Sequence, residues 1–284
     1  LIDPRGIRIG VRAHDFGKLP AAVLADRIAR KRLSCIQLTL HEAIQGIDEV
    51  RGALSPGLAY AVSGPFRRRN IQIAVLSCYI NPIHRDEKQR KAGIELFKEH
   101  VRFVRDFGCG VVATETGSLN PDFSFNPANH SEESFQLMLK GLAEMVEEAE
   151  KFGAIVAVEG VANFVACSPR AIRRMLDSIS SRNLQVLLDP VNLLTVENHG
   201  ALGRIIEESF DLFGERIVTV HAKDFRIEAG RLVSTPLGKG LMDYRLLFSL
   251  LKKAKPMMNV IIEDTSPNLV TESMNYLTSA YASA

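Results

Sequence analysis

Short apolar runs alternate with amphipathic stretches along the whole chain. Residues 7–11 read as a first strand. Residues 20–32 follow as an amphipathic helix with Pro20 in its first turn, where a missing N–H is harmless. Residues 35–40 alternate as a second strand, 58–69 as a helix, and 72–78 as a third strand. A long helix over 88–107 ends at Gly108, a residue type that closes helices, and 110–115 is strand four. Ser131 opens the next helix and Gly153 closes it. Strand five ends at Glu159, and Ser168-Pro169 has the cap-then-proline order of a helix start. Strand six ends at Asp189 before a helix over 200–213. Strand seven ends at His221 before a helix over 243–253. Strand eight ends at Glu263, and a final helix begins near Asn268.

Eight strand–helix alternations predict an α/β protein built as a single (β/α)8 TIM barrel, with residues 1–284 as one domain. A doubly wound open sheet is the competitor, but it usually carries a Gly-rich phosphate turn after its first strand, and none stands there. Arg105-Asp-Phe-Gly-Cys-Gly-Val-Val-Ala-Thr-Glu115 echoes Glu150-Lys-Phe-Gly-Ala-Ile-Val-Ala-Val-Glu159, as expected of a serially repeated unit. Two connections, 41–57 and 116–130, exceed the usual length of about 6 residues. Both fall on the C-terminal face, where barrels of this kind carry their sites. In the second, Phe123 and Phe125 are expected either to line a substrate or to pin the loop.

Four of the apolar runs end in a residue able to bind a metal: Ile155-Val-Ala-Val-Glu159, Leu184-Gln-Val-Leu-Leu-Asp189, Ile217-Val-Thr-Val-His221 and Val260-Ile-Ile-Glu263. In parallel strands these side chains gather at one edge. Three carboxylates and an imidazole crowded together repel one another unless a divalent cation neutralises them. The oxygen-rich donor set suits Mn²⁺ or Mg²⁺ first, with Co²⁺ or Zn²⁺ as further options, and leaves open positions of the kind catalytic sites keep. A single such residue at a strand end is usually just hydrogen-bonded; four at matching places point to a shared ion. Glu115 also ends a strand and is expected as a polar wall residue; His14, after strand one, is expected to line the pocket.

These residues give the chain its resemblance to the xylose isomerase-like TIM barrel superfamily, the sugar phosphate isomerase/epimerase group. The resemblance covers most of the chain and is sharpest from Gly153 onward. It implies that Glu159, Asp189, His221 and Glu263 hold one divalent metal ion. It further implies that Arg226, in His221-Ala-Lys-Asp-Phe-Arg226, binds substrate oxygen. Thr235-Pro-Leu-Gly-Lys-Gly-Leu-Met-Asp-Tyr244 resembles the group's Gly-x-Gly turn. One departure is Asn192, where many relatives carry His three residues after the strand-six Asp; an amide can bind a sugar hydroxyl but cannot titrate near neutrality. A second separates the chain from the apurinic endonucleases, which use extra His ligands after strands two, three and four; here His41 alone partly matches and is expected to bond within its loop.

The implied activity is that of a divalent-metal-dependent sugar isomerase or epimerase, acting by proton transfer next to a carbonyl through a metal-stabilised enediolate. Glu159 and Glu263 are the expected acid–base pair on opposite faces of the substrate, and Asp224 a residue that orients a neighbour or pairs at the surface. The alternatives are a metal-dependent lyase or dehydratase of a cyclic polyol or keto acid, and a non-catalytic sugar-binding barrel. The expected partner is a small-molecule carbohydrate or polyol, and the resemblance also suggests a homo-oligomer.

Composition narrows the classes further. The 284 residues are 46% hydrophobic and 24% charged, enough for a full core, and the formal net charge of +2 points to neither nucleic acid nor membrane. Arg67-Arg68-Arg69 reads as the solvated end of a helix. Cys35, Cys78, Cys109 and Cys167 form no CxxC pair and read as small buried thiols of a reducing compartment. No apolar stretch approaches the ~20 residues of a membrane span, and no basic-then-apolar leader opens the sequence, so a soluble, cytoplasmic protein is expected.

Overall fold

The computed structural model describes residues 6–255 and 257–284. The strands are β1 (Arg8–Arg12), β2 (Cys35–Thr39), β3 (Gln72–Ser77), β4 (Val111–Glu115), β5 (Ile155–Glu159), β6 (Leu184–Leu188), β7 (Ile217–Ala222), β8 (Asp224–Glu228), β9 (Arg231–Thr235) and β10 (Asn259–Ile262). Eight of them close into a parallel barrel in the order β1-β10-β7-β6-β5-β4-β3-β2. The helices are α1 (Ala21–Ala29), α2 (Leu40–Ala43), α3 (Pro56–Arg67), α4 (Glu87–Phe103), α5 (Glu132–Phe152), α6 (Pro169–Ser178), α7 (Leu202–Phe213), α8 (Tyr244–Ala254) and α9 (Val270–Ala282).

Capping chemistry sets the helix starts. Ser55, Asp86, Ser131, Ser168 and Asp243 each accept a backbone N–H from the first turn that follows, which satisfies donors no helical carbonyl can reach. Gly153 ends α5 in the left-handed region at φ 62°. α3 begins earlier than its apolar pattern suggests because the Ser55 cap and Pro56 start it. α4 stops at Phe103, and separate turns carry the chain on to Gly108.

The main departure from the expected order is the antiparallel hairpin β8–β9, inserted after β7, so the eighth barrel strand is β10. Its two-residue turn is Ala229-Gly230, with φ of 47° and 71°. Both values suit a primed hairpin turn, but alanine is a poor advertisement for one, which is why the pattern hid it.

Side-chain alternation decides what the barrel holds. An apolar layer of Cys35, Ala74, Val75, Ala113, Ala157, Leu187 and Ile261 fills the interior. Two residues further along their strands, on the same face, come Gln37, Glu115, Glu159, Asp189 and Glu263. The polar layer therefore crowns the apolar one at the C-terminal rim. No described helix is long and apolar enough to cross a membrane. The four cysteines are unpaired; Cys35, Cys78 and Cys109 are buried and Cys167 partly so.

Candidate metal centre

Glu159, Asp189, His221 and Glu263 each offer a ligand atom, and these atoms lie within 4.8 Å of one another. All four residues are buried. Burying three carboxylates is costly unless each charge is answered. His221 Nδ1 lies 3.3 Å from Glu159 Oε1 and 2.6 Å from Glu263 Oε2. Lys223 Nζ stands 3.4 Å from Asp189 Oδ2, 3.1 Å from Glu263 Oε1 and 3.3 Å from Asp264 Oδ2. The Arg12 guanidinium donates to Glu263 Oε1 at 2.6 Å.

Even so, Asp189 Oδ2, His221 Nδ1 and Glu263 Oε2 are buried without a hydrogen-bond partner. The 2.6 Å His221–Glu263 contact is an ion pair. Three bare donor atoms in one cluster, two oxygens and an aromatic nitrogen, match what a divalent cation needs. The residues fit such an ion.

The electrostatics report the same crowding. Burial alone would lower His221, but Glu263 and Glu159 outweigh it and push it up to about 10. Burial raises Glu263, yet His221, Lys223 and Arg12 hold it well below the usual carboxylate range. Burial pushes Asp189 up to about 6 against the pull of Lys223. Glu115 goes up to about 8, first through burial and then through repulsion from Glu159 and Glu263. Its backbone is level with that of Glu159 across the β4–β5 pair.

The other expected site residues divide. Asn192 joins the cluster: its Nδ2 donates to Glu159 Oε1 at 2.7 Å, and its Oδ1 accepts from Lys223 at 3.0 Å. His14 sits at the rim with Nδ1 3.1 Å from Glu42 Oε2. His41 bonds within its loop, 3.2 Å from Glu49 Oε1. Arg226 is not brought to the cluster; it lies on β8, half exposed, paired with Glu228 at 2.7 Å. Asp224 neither orients a ligand nor sits at the surface. It is 1% exposed, and its carboxylate accepts backbone N–H groups of Phe225, Gly238, Gly240 and Met242. The Gly238-Lys239-Gly240 turn thus spends two of its amides on Asp224, and they are not free to cradle a phosphate. Phe123 packs on Phe164 at 5.9 Å between ring centroids and pins its loop, while Phe125 is half exposed.

Residues that the strand-end pattern did not single out complete the centre: Arg12, Gln37, Lys223 and Asp264. Gln37 had a readable signal, a polar residue inside the apolar Cys35-Ile-Gln-Leu-Thr39. Beside the cluster opens a cavity of about 370 Å³. Asn163, Asn192, Lys223 and Asp264 supply polar groups to its lining, and Leu194 and Phe225 apolar surface.

A parallel eight-stranded barrel with a carboxylate–imidazole cluster on its C-terminal rim defines a TIM barrel with a candidate metal site. The chain belongs to the xylose isomerase-like TIM barrel family, whose profile matches residues 28–280. An uncharacterized protein of Methanocaldococcus jannaschii is 25% identical over 162 residues, which cover 55% of this chain. The chain spans only 53% of that curated relative's length. Among solved structures, a D-tagatose 3-epimerase-like protein is similar with a TM-score of 0.77 at 19% identity, covering 97% of each chain. The IolI protein with a bound zinc atom is similar with a TM-score of 0.76 at 17% identity, covering 97% of this chain and 98% of that one. At these identities the two structures share the fold.

Proposed function

We propose that this chain, as one barrel domain, is a divalent-metal-dependent isomerase or epimerase of a small polyhydroxy carbonyl compound. The observation that carries the reading is the convergence of Glu159, Asp189, His221 and Glu263 with three buried donor atoms left unpartnered. The family membership and the likeness to an epimerase-like protein and to a zinc-binding barrel support it.

Asp189 and His221 would hold the ion together with Glu159 and Glu263; Mn²⁺, Mg²⁺, Co²⁺ and Zn²⁺ all suit the donor set. When bound, the ion supplies a Lewis acid that polarises adjacent substrate oxygens. The protein does the rest. Glu159 and Glu263 come from strands on different sides of the cluster, so one carboxylate takes a proton from carbon and the other returns one. Return to the opposite face of the same carbon inverts it; if one carboxylate instead returns the proton to the neighbouring carbon while the hydroxyl proton passes between the two oxygens, the carbonyl moves. Asn192 holds Glu159 by its amide, and Arg12 and Lys223 hold Glu263. Asn192 and Lys223 reach both this cluster and the adjoining cavity and would bind substrate oxygen there; His14 and Glu115 are further candidates for substrate contact outside that cavity.

Elemental analysis of the purified protein beside a Glu159→Gln/Glu263→Gln double variant tests the site. About one divalent ion per chain, lost in the variant, is expected. Ketoses incubated with the loaded protein in heavy water should then take up deuterium next to the carbonyl. Absence of ion after exposure to excess Mn²⁺, Co²⁺ or Zn²⁺ would refute the reading. Release of water from the substrate, seen as a loss of mass, would reassign the protein as a lyase.

A further inference from the structure

Gln37 is fully buried on β2, in the polar layer at the barrel mouth. A buried carboxamide is tolerated only when its donors and acceptor are answered. Here they are. Its Nε2 donates to the Tyr79 hydroxyl at 2.7 Å, and its Oε1 lies 2.7 Å from His221 Nε2. The second contact joins residues 184 positions apart, from β2 across the barrel mouth to β7.

An imidazole binds an ion through one nitrogen only, and the other must then carry the proton and find an acceptor. In His221 the two nitrogens have opposite surroundings. Nδ1 faces Glu159 and Glu263 and has no hydrogen-bond partner. Nε2 faces Gln37 Oε1. We propose that Gln37 is a positioning residue that holds a proton on His221 Nε2, so that Nδ1 is the nitrogen that gives up its proton to an ion in the cluster. The proposal rests on the metal reading above.

The amide orientation matters. Turned over, Gln37 would present N–H to Nε2 and drive the single proton of a neutral ring onto Nδ1, where it would block the ligand position. In this orientation the Tyr79 hydroxyl accepts from Nε2 of Gln37 at 2.7 Å, so both ends of the amide are partnered. A neutral acceptor also suits the place, because a carboxylate there would join Glu115, Glu159 and Glu263 as one more negative charge.

The test needs a readout of the ring itself. Two-bond ¹H–¹⁵N correlation spectra of Zn²⁺-loaded protein, with His221 assigned by its loss in His221→Gln, should show a protonated Nε2 and a metal-bound Nδ1. Binding of Co²⁺ to metal-free protein should weaken about ten- to hundredfold in Gln37→Leu, the usual cost of losing such a partner. Tyr79→Phe should weaken it less, because Oε1 remains. Gln37→Glu keeps an acceptor in place and should recover most of the Gln37→Leu loss, a rescue that a mere packing role does not predict. Zn²⁺ on Nε2 with a protonated Nδ1, unaltered Co²⁺ affinity in Gln37→Leu, or a Gln37→Glu no better than Gln37→Leu would each overturn the proposal while leaving the metal site standing. Failure of the parent protein to bind either ion would instead overturn the metal reading, and this inference with it. The parent spectrum alone decides the tautomer, so a variant that fails to fold leaves the test intact.

Discussion

Asn192 donates its side-chain N–H to Glu159 Oε1 at 2.7 Å, tying the turn after β6 to the end of β5. Its carbonyl oxygen meanwhile accepts from Lys223 at 3.0 Å. One amide thus couples a candidate base to the cation that faces the other candidate base. Asn192→Leu should leave Glu159 mobile and Lys223 short of a partner. Ion affinity measured by titration calorimetry should fall about tenfold. The metal-free protein should lose roughly 1–3 kcal/mol in urea denaturation, the usual cost of unpairing buried polar groups.

In the metal-free protein His221 is held protonated, with its pKa pushed up to about 10. An ion that takes Nδ1 must displace a proton. Calorimetric titrations at pH 8 in buffers of different ionisation heat should therefore report about one proton released per ion, and affinity should climb as pH rises toward 10. The same shift governs stability. A group whose folded pKa exceeds the ordinary 6.5 contributes stability that is fully present below 6.5 and lost as pH rises through about 10. Thermal melts of metal-free protein should fall across that window, and saturating ion should remove much of the fall.

His100 has the opposite sign. Buried on α4, with Nδ1 3.0 Å from the Leu96 carbonyl oxygen, it is pushed below the ordinary 6.5, chiefly by burial. The unfolded chain binds its proton first, so stability is lost as pH falls from 6.5 toward the folded value. His100→Gln should shrink the difference between urea midpoints at pH 7.5 and pH 5. An unchanged difference would assign the acid loss to other groups.

Asp224 carries the hairpin and the glycine turn through four backbone N–H groups. A Cβ on Gly240 would lie 2.2 Å from Asp224 Oδ1 and 2.3 Å from the Phe225 carbonyl oxygen. Gly240→Ala must therefore push the carboxylate out of its cradle. Asp224→Asn turns an acceptor into a donor facing other donors. Each should cost about 2–4 kcal/mol. Hydrogen exchange at Gly238, Gly240 and Met242 should accelerate in both, and unaltered exchange would show that the turn stands without Asp224.

Much of this was legible in the chain because it depends on local periodicity. Alternation within a strand puts Ala157 and Glu159, or Ile261 and Glu263, on one face. Serine caps and a left-handed glycine punctuate the helices, so the eight alternations and the four strand-end candidate ligands could be read in order. The hairpin was hidden by its Ala229-Gly230 turn, and the helix ends moved by a few residues where a cap outweighed the apolar pattern.

The order of elements and the chemistry at the strand ends can be read from the chain alone, because both follow from patterns a few residues long. Partnership was decided only in three dimensions. Barrel closure brings β10 beside β1, and so joins Arg12 to Glu263 across 251 positions and Gln37 to His221 across 184. The same folding turned Arg226 outward onto Glu228 and sank Asp224 beneath a turn. A side chain's charge is written in its residue type, but the group that answers that charge is set by which strands lie side by side.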